Sequence, residues 1–315
     1  MTGTKVDPAA LLDALKPGAE LIDAEPVAGG VSAAILRVRY RACAGTKRKA
    51  STAIVRILPA RAALDAAAEA RLMGQLSNSG FPVPGVLAYC TGTPAHALLL
   101  EHVDGTSDFT PGPERIEHMA HLAAALHRLP TGAFDMLAPA TEHPIGEAYG
   151  KLDPARTAPL ADFARAHPPE ASGAPVPCHG DFWPGNLLWT GPTEVTVLDW
   201  EDASLGDRLH DLAIARLELA WETGVPAMER FTARYLARCE DGERLRMLLP
   251  RWDLHETMLR LGWLPRWPLP EAVIRRSASV GLMHAERAAQ AIVANHPATS
   301  QTPPGRLASR HPLRG

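Results

Sequence analysis

The amino-acid sequence predicts an α+β protein of two lobes, in which a small β-rich lobe with one main helix precedes a larger α-helical lobe. Three observations lead to this prediction. Apolar residues alternate with a period of two in much of the first hundred residues, whereas they recur every three or four residues through most of the second half. All seven tryptophans lie after residue 182, as two differently packed cores would produce. A chain of 315 residues is also long enough for two domains of ~150 residues each.

The first lobe is predicted to begin with a hairpin and a helix. Alternating runs at Ser32–Tyr40 and Ser51–Leu58 flank a polar, lysine-rich tip, which is typical of two antiparallel strands. Leucine and alanine then recur every four positions across Arg61–Leu76, and the Asn-Ser-Gly that follows is a common helix end. Short strands are predicted next, at Val86–Tyr89 and Ala97–Val103.

Helical periodicity dominates the rest of the chain, apart from short strands around a loop between residues 176 and 199. We therefore divide the chain into a first lobe at 1–100, a connector at 101–110 and a second lobe at 111–295. The last stretch, 296–315, contains four prolines, few apolar residues and no acidic residue, which predicts a disordered tail. The predicted helices of the second lobe cover residues 114–128, 208–222, 226–239, 243–262 and 270–294.

Composition and charge exclude several classes of protein. The formal net charge is −3, so bulk electrostatics predicts no nucleic-acid partner and no membrane surface. No apolar run approaches the ~20 residues of a membrane helix, and the N-terminal segment has charges and Pro8 where a signal peptide has apolar residues. The four cysteines are scattered without a CxxC spacing, which disfavours a zinc site or a disulfide framework. We expect a soluble cytoplasmic protein, and the sequence leaves its oligomeric state open.

Three oxygen-bearing side chains form the most specific pattern in the sequence. Asp181 and Asn186 lie in the segment CHGDFWPGNLLW, and Asp199 ends an apolar run thirteen residues beyond Asn186. Such side chains, presented from turns, suit a hard cation such as Mg²⁺, which prefers oxygen ligands. Phosphoryl transfer combines a metal of this kind with a carboxylate that orients an attacking hydroxyl or accepts its proton. The pattern therefore indicates a phosphoryl-transfer site.

The segments HGDFWPGN and LDWED resemble the two signature motifs of the aminoglycoside phosphotransferase and choline kinase family, whose members are relatives of the protein kinases. The resemblance extends over residues 20 to 290. It implies a two-lobed protein-kinase-like fold and a small-molecule kinase that transfers the γ-phosphate of ATP, or of GTP, to a hydroxyl group with Mg²⁺ as cofactor. The substrate lobe does not reveal which small molecule accepts the phosphate.

The resemblance also implies roles for individual residues. Asp181 takes the position of the catalytic base, and Asn186 and Asp199 take the positions that hold magnesium. His179 braces the loop and takes no part in the chemistry. The following segment GDRLHDLA resembles the family's continuation, in which the residue matching Asp211 anchors the catalytic loop from a buried position.

A cation in the first lobe supports the same interpretation. The period of two places Arg56 on the same face as Ile54 and Leu58, and a cation on an apolar face needs a partner. The predicted helix offers Glu69 beside its apolar stripe, so a strand cation paired with a helix carboxylate would reach nucleotide phosphates. Protein kinases and many drug-modifying relatives have lysine where this chain has Arg56, whose fork can also hold phosphate.

Two further segments are candidates for nucleotide binding. Gly29, Gly30 and Ser32 lie between two predicted strands, where glycines permit close approach of the backbone to the phosphates, although the segment is not a GxGxxG. Glu101 and Val103 lie in the connector, which resembles the segment whose backbone holds the adenine in this family.

Other interpretations remain open at this point. The chain could be a pseudokinase that binds nucleotide without transferring phosphate. It could also be a metal-dependent phosphohydrolase of the HD type, in which His179, His210 and Asp211 bind metal together with a downstream acid such as Asp253. Asp253 and Glu256 share a helix face, and we interpret that face as solvated, with the alternative that its acids attract a cationic acceptor.

Overall fold

A computed structural model describes residues 6–27, 34–42, 50–59, 64–141, 143–146, 149–150 and 152–295. The predicted loop with Gly29, Gly30 and Ser32 lies outside the described residues, as do the lysine-rich hairpin tip and the tail 296–315.

The first part of the chain forms a five-stranded antiparallel sheet. In its second strand Val38 and Tyr40 are buried while Arg37 and Arg39 are exposed, as the alternating pattern predicts. The strands are β1 (Glu20–Pro26), β2 (Ala34–Arg41), β3 (Ala50–Ile57), β4 (Val86–Cys90) and β5 (Ala97–Glu101), in the order β1-β2-β3-β5-β4.

Two helices pack beside this sheet. α1 (Pro8–Leu15) begins with a proline and buries three leucines, and the sequence analysis did not predict it. α2 (Ala66–Asn78) is the predicted main helix, but it starts later than the predicted Arg61. The reason is Asp65, which has an extended backbone and caps the helix by accepting a backbone N–H of the first turn.

The second part of the chain is mainly helical, as predicted. The sequence analysis missed α4 in this part, because Pro159 interrupts its pattern and Leu160 is the one large apolar side chain on its buried face, beside two alanines and Thr157. The helices are α3 (Pro113–Leu126), α4 (Pro154–Ala166), α5 (Arg208–Glu222), α6 (Val225–Leu236), α7 (Gly242–Trp263) and α8 (Glu271–Asn295).

Short strands between α4 and α5 bring the motif residues together. They are β7 (Val176–Cys178), β8 (Leu187–Trp189), β9 (Val195–Val197) and β10 (Ser204–Gly206), and β8 also pairs with β6 (Thr106–Ser107) in the connector. β8 and β9 form an antiparallel hairpin, so the residue before β8 and the residues after β9 lie at the same end. Asn186 precedes β8 and Asp199 follows β9, and this topology therefore places both side chains at one end of the hairpin.

The α+β class and the order of a sheet-rich part followed by a helical part are confirmed. One hydrophobic cluster extends from the helix α2 through the hairpin to α6, so the region that carries the motifs rests on a continuous core. No helix among the described residues is both long enough and apolar enough to cross a membrane.

Candidate active site

His179 joins the two motif segments from a fully buried position. Its Nδ1 accepts a hydrogen bond from the backbone N–H of Asp181 at 3.2 Å. The proton is therefore on Nε2, which donates to the backbone carbonyl of Leu198 at 2.8 Å. Because both ring nitrogens hold backbone, this histidine fixes the relative position of the loop and of the residue before Asp199.

Asp211 anchors the same loop from the first turn of α5. Its two oxygens accept the backbone N–H groups of His179 at 2.7 Å and Gly180 at 2.8 Å, and it also contacts His127 Nε2 at 3.1 Å. Burial acts to raise the pKa of Asp211, but the hydrogen bond and charge of His127 outweigh it and lower that pKa to about 2. The carboxylate is thus ionised and holds two consecutive backbone amides.

Gly180 makes the tight turn between these anchors possible. Its φ is +82°, a left-handed conformation that side chains disfavour, and a Cβ added there would lie 2.3 Å from the carbonyl oxygen of Asp202. The segment after Asp199 therefore packs directly against the loop backbone.

Asp181 is held at both carboxylate oxygens. Oδ1 accepts from Arg260 Nη2 at 3.0 Å, and Oδ2 accepts from Trp183 Nε1 and Asn186 Nδ2, both at 3.1 Å. Its side chain remains 30% exposed, so the carboxylate is oriented by the protein and still reachable from solvent. We call the partly exposed region around Asp181, Asn186 and Asp199 the cleft.

Asn186 and Asp199 offer oxygen atoms at the end of the hairpin. The amide nitrogen of Asn186 donates to the carbonyl oxygen of Asp181 at 2.9 Å, which turns the amide oxygen away from that loop. Asp199 has a φ of 63°, and its side chain is one-third exposed. A carboxylate and an amide oxygen presented in this way fit the ligand preference of Mg²⁺.

Arg56 links the sheet to helix α2 and to the segment that follows β9. Its Nη1 donates to both carboxylate oxygens of Glu69, at 2.6 and 2.8 Å, and its Nη2 donates to Asp199 at 2.5 Å and to Glu201 at 2.7 Å. Burial raises the pKa of Glu69 to about 7 against the opposing effect of Arg56. For Arg56 itself, burial acts to lower the pKa, but Glu69, Asp199 and Glu201 raise it.

The connector begins at the end of the five-stranded sheet. The backbone N–H of Glu101 donates to the carbonyl of Gly85 at 2.8 Å, so the last residue of β5 is tied to the start of β4. Glu101 is exposed and Val103 is half-buried.

Sequence reasoning missed four side chains of the site: Trp183 and Arg260 contact Asp181, Glu201 contacts Arg56, and Glu218 contacts Arg260. Glu201 could have been found, because it lies two positions after Asp199 in the LDWED segment. Trp183 is likewise inside its motif, but nothing in the pattern indicates that its indole N–H donates to Asp181. Arg260 and Glu218 are far from the motifs in sequence, and no spacing signal points to them.

The interpretation of Asp253 and Glu256 as a solvated face is wrong. Both are buried, and each is paired with α5: Asp253 accepts from Arg216 at 2.9 Å, and Glu256 contacts His210 Nδ1 at 3.1 Å. Helix α7 turns this face toward α5, and the acids balance charges there. Neither acid is available to attract a cationic acceptor.

The residues of the alternative hydrolase interpretation are engaged elsewhere. His179 and Asp211 hold backbone groups of the loop, His210 pairs with Glu256, and Asp253 pairs with Arg216. These contacts distribute the four residues over separate pairs, which disfavours a shared metal centre.

The fold is that of the kinase-like phosphotransferases. It matches the structure of a microcompartment-associated aminopropanol kinase with a TM-score of 0.61 at 16% identity, over 89% of this chain and 94% of that chain. It matches spectinomycin phosphotransferase in complex with ADP and spectinomycin with a TM-score of 0.59 at 13% identity, over 91% of this chain and 97% of that chain. The two-lobed protein-kinase-like fold that the motifs imply is thereby confirmed.

Sequence comparison then gives the family. The model of the phosphotransferase enzyme family matches residues 23–248. The chain is also 32% identical over 212 residues to aminoglycoside 3'-phosphotransferase of Streptomyces fradiae, covering 59% of this chain and 78% of that protein. The chain belongs to the phosphotransferase enzyme family.

Proposed function

We propose that this protein is a kinase that transfers the γ-phosphate of ATP to a hydroxyl group of a small molecule, giving ADP and the phosphorylated acceptor. The observation that carries the proposal is the hydrogen-bonded set of Asp181, Asn186 and their partners at the same cleft as Asp199 and Arg56. Oriented carboxylates and a buried cation suit phosphoryl transfer, which depends mainly on positioning and charge.

In this proposal Asp181 accepts the proton of the attacking hydroxyl. The acceptor oxygen forms a bond to the γ-phosphorus while the bond from that phosphorus to the bridging oxygen breaks, and ADP leaves. Contacts at both oxygens fix the direction of the Asp181 carboxylate, and its partial exposure leaves room for the hydroxyl. His179 and Asp211 contribute by holding the loop in place.

Asn186 and Asp199 would hold magnesium through their oxygens. When bound, magnesium neutralises negative charge on the nucleotide phosphates. Arg56 adds a second positive charge, and Glu69 keeps its guanidinium directed into the cleft through two hydrogen bonds. The arginine fork can bind phosphate oxygens in pairs, which a lysine cannot.

The nucleotide-binding lobe would be residues 1–100, with Gly29, Gly30 and Ser32 over the phosphates. Glu101 and Val103, in the connector 101–110, would present backbone groups to the adenine. The second lobe, 111–295, would bind the acceptor. The similar spectinomycin phosphotransferase is in complex with ADP, which supports an adenine nucleotide here.

The first experiment measures magnesium-dependent ADP release over a panel of small hydroxyl compounds, with Asp181→Asn beside the wild type. We expect at least one acceptor whose turnover is lost in Asp181→Asn while ATP binding persists. Asp162→Asn, the same change at an exposed position on α4, is the control and should behave as the wild type. Equal turnover in Asp181→Asn, or a wild type that does not bind ATP, would contradict the proposal. ATP binding without turnover on any acceptor would favour the pseudokinase.

A further inference from the structure

Arg260 is a buried cation that reaches the loop from helix α7. Its side chain is 9% exposed, and Nη2 donates to Asp181 Oδ1 at 3.0 Å. On the other side of the guanidinium, Nη1 contacts Glu218 of α5 at 3.4 Å. One planar group thus connects a helix of the second lobe to the proposed catalytic carboxylate, over 79 residues of sequence.

This contact differs from the other charged pairs between α5 and α7. Arg216 pairs with Asp253 at 2.9 Å, and His210 pairs with Glu256 at 3.1 Å. Those pairs join one helix to the other. Arg260 also joins α7 to α5, through Glu218, but of these three arrangements it is the one that includes a loop residue, Asp181. Helix packing alone therefore does not explain the position of Arg260.

The contacts at Asp181 are complementary. Trp183 and Asn186 lie in the same loop and hold Oδ2, whereas Arg260 holds Oδ1 from outside the loop. Without Arg260, the carboxylate would retain donors at one oxygen and could rotate about its side-chain bond.

The second partner of Arg260 does not compete strongly for its charge. Burial raises the pKa of Glu218 to about 8, although Arg260 opposes this effect. Near neutral pH the Glu218 side chain is therefore mostly uncharged. The contact of Arg260 with Asp181, at 3.0 Å, is also shorter than its contact with Glu218, at 3.4 Å.

We propose that Arg260 is a positioning residue for phosphoryl transfer, which keeps the Asp181 carboxylate directed at the acceptor hydroxyl. The proposal rests on the proposed function, because it assigns Arg260 a role in that reaction. Phosphoryl transfer is catalysed mainly by positioning and charge, so the direction of this carboxylate affects the rate.

The test compares Arg260→Gln and Arg260→Lys with the wild type on an acceptor found in the panel. Glutamine keeps a hydrogen-bond donor and removes the charge, whereas lysine keeps the charge and removes the fork. For Arg260→Gln we expect kcat to fall ~10²-fold, as for other losses of positioning, with the Kd for ATP unchanged. Arg260→Lys should lose about tenfold in kcat, again with the Kd for ATP unchanged, which corresponds to loss of roughly one neutral hydrogen bond.

Arg216→Gln is the matched control, since it removes an equally buried arginine of the same helix interface that does not contact Asp181. It should keep the wild-type kcat. The inference is overturned if Arg260→Gln keeps the wild-type kcat, if it loses ATP binding to the same extent as kcat, or if Arg216→Gln lowers kcat equally. If Arg260→Gln does not fold, Arg260→Lys decides: a kcat about tenfold below the wild type with an unchanged Kd for ATP supports the proposal, and a kcat at the level of either the wild type or Asp181→Asn overturns it. Wild-type turnover that survives Asp181→Asn would instead refute the proposed function, and the role of Arg260 with it.

Discussion

The anchor of the catalytic loop gives a prediction whose size follows from the structure. Asp211→Asn removes the charge that His127 stabilises and that accepts two backbone amides. The pKa of Asp211 falls from 3.8 to about 2, and at 1.36 kcal/mol per pKa unit this lowering corresponds to about 2 kcal/mol of folding free energy. The asparagine amide would also direct an NH₂ group at one backbone N–H. The unpaired buried donor lowers the unfolding free energy by a further ~1–3 kcal/mol.

Urea unfolding at pH 7 measures this loss. We expect Asp211→Asn to lower the unfolding free energy by ~3–5 kcal/mol, the sum of those two contributions. Asp153→Asn is the control, since it makes the same chemical change at an exposed helix cap where asparagine also caps well. Because the folded pKa of Asp211 is depressed, its contribution in the wild type is present above pH 3.8 and is lost as the pH falls toward about 2. An Asp211→Asn protein within about 1 kcal/mol of Asp153→Asn would refute the anchoring role.

Three other changes have defined outcomes. Arg56→Lys should weaken ATP binding about tenfold in a titration, because one ammonium cannot keep the paired contact with Glu69 while reaching the cleft; unchanged affinity would contradict this. Gly180→Ala should lower the melting temperature, since a Cβ would lie 2.3 Å from the carbonyl of Asp202 and φ is +82°; an unchanged melting temperature would show that the turn adapts. In the folded protein the pKa of Glu218 is raised from 4.5 to about 8. The protonated side chain therefore stabilises the fold fully below pH 4.5, and this stabilisation is lost as the pH rises to about 8. The loss is 3.5 × 1.36, or about 5 kcal/mol of unfolding free energy. Urea unfolding at pH 5, 6.5 and 8 measures this fall in unfolding free energy, and Glu218→Gln should abolish it. If the fall persists in Glu218→Gln, another group causes it.

Local patterns predicted most of the secondary structure. The alternation in β2 and the four-residue repeat in α2 arise because one face of each element is buried, and that face is visible in sequence. The same reasoning placed Arg56 on the buried face of β3 and Glu69 beside the apolar stripe of α2, and the structure brings the two into contact. Helix α4 was not predicted, because Pro159 interrupts its pattern and Leu160 is the one large apolar side chain among its buried residues.

Charge pairs between distant segments could not be predicted in this way. Two acids three positions apart on a helix look the same in sequence whether they face water or partner charges on another helix. Asp253 and Glu256 were misinterpreted for this reason, since their partners Arg216 and His210 lie on α5. The contact of Arg260 with Asp181 is of the same kind.

At Asp199 a backbone conformation that costs stability carries a side chain that the proposed function needs. Among the residues described, it is the only one other than glycine with a positive φ, and such a conformation costs about 1–2 kcal/mol for most side chains. Asp199→Gly would relieve that strain and would leave Arg56 with two carboxylate partners instead of three. A screen for heat-resistant variants that ignores turnover will therefore select against the side chain that presents its oxygens to the cleft.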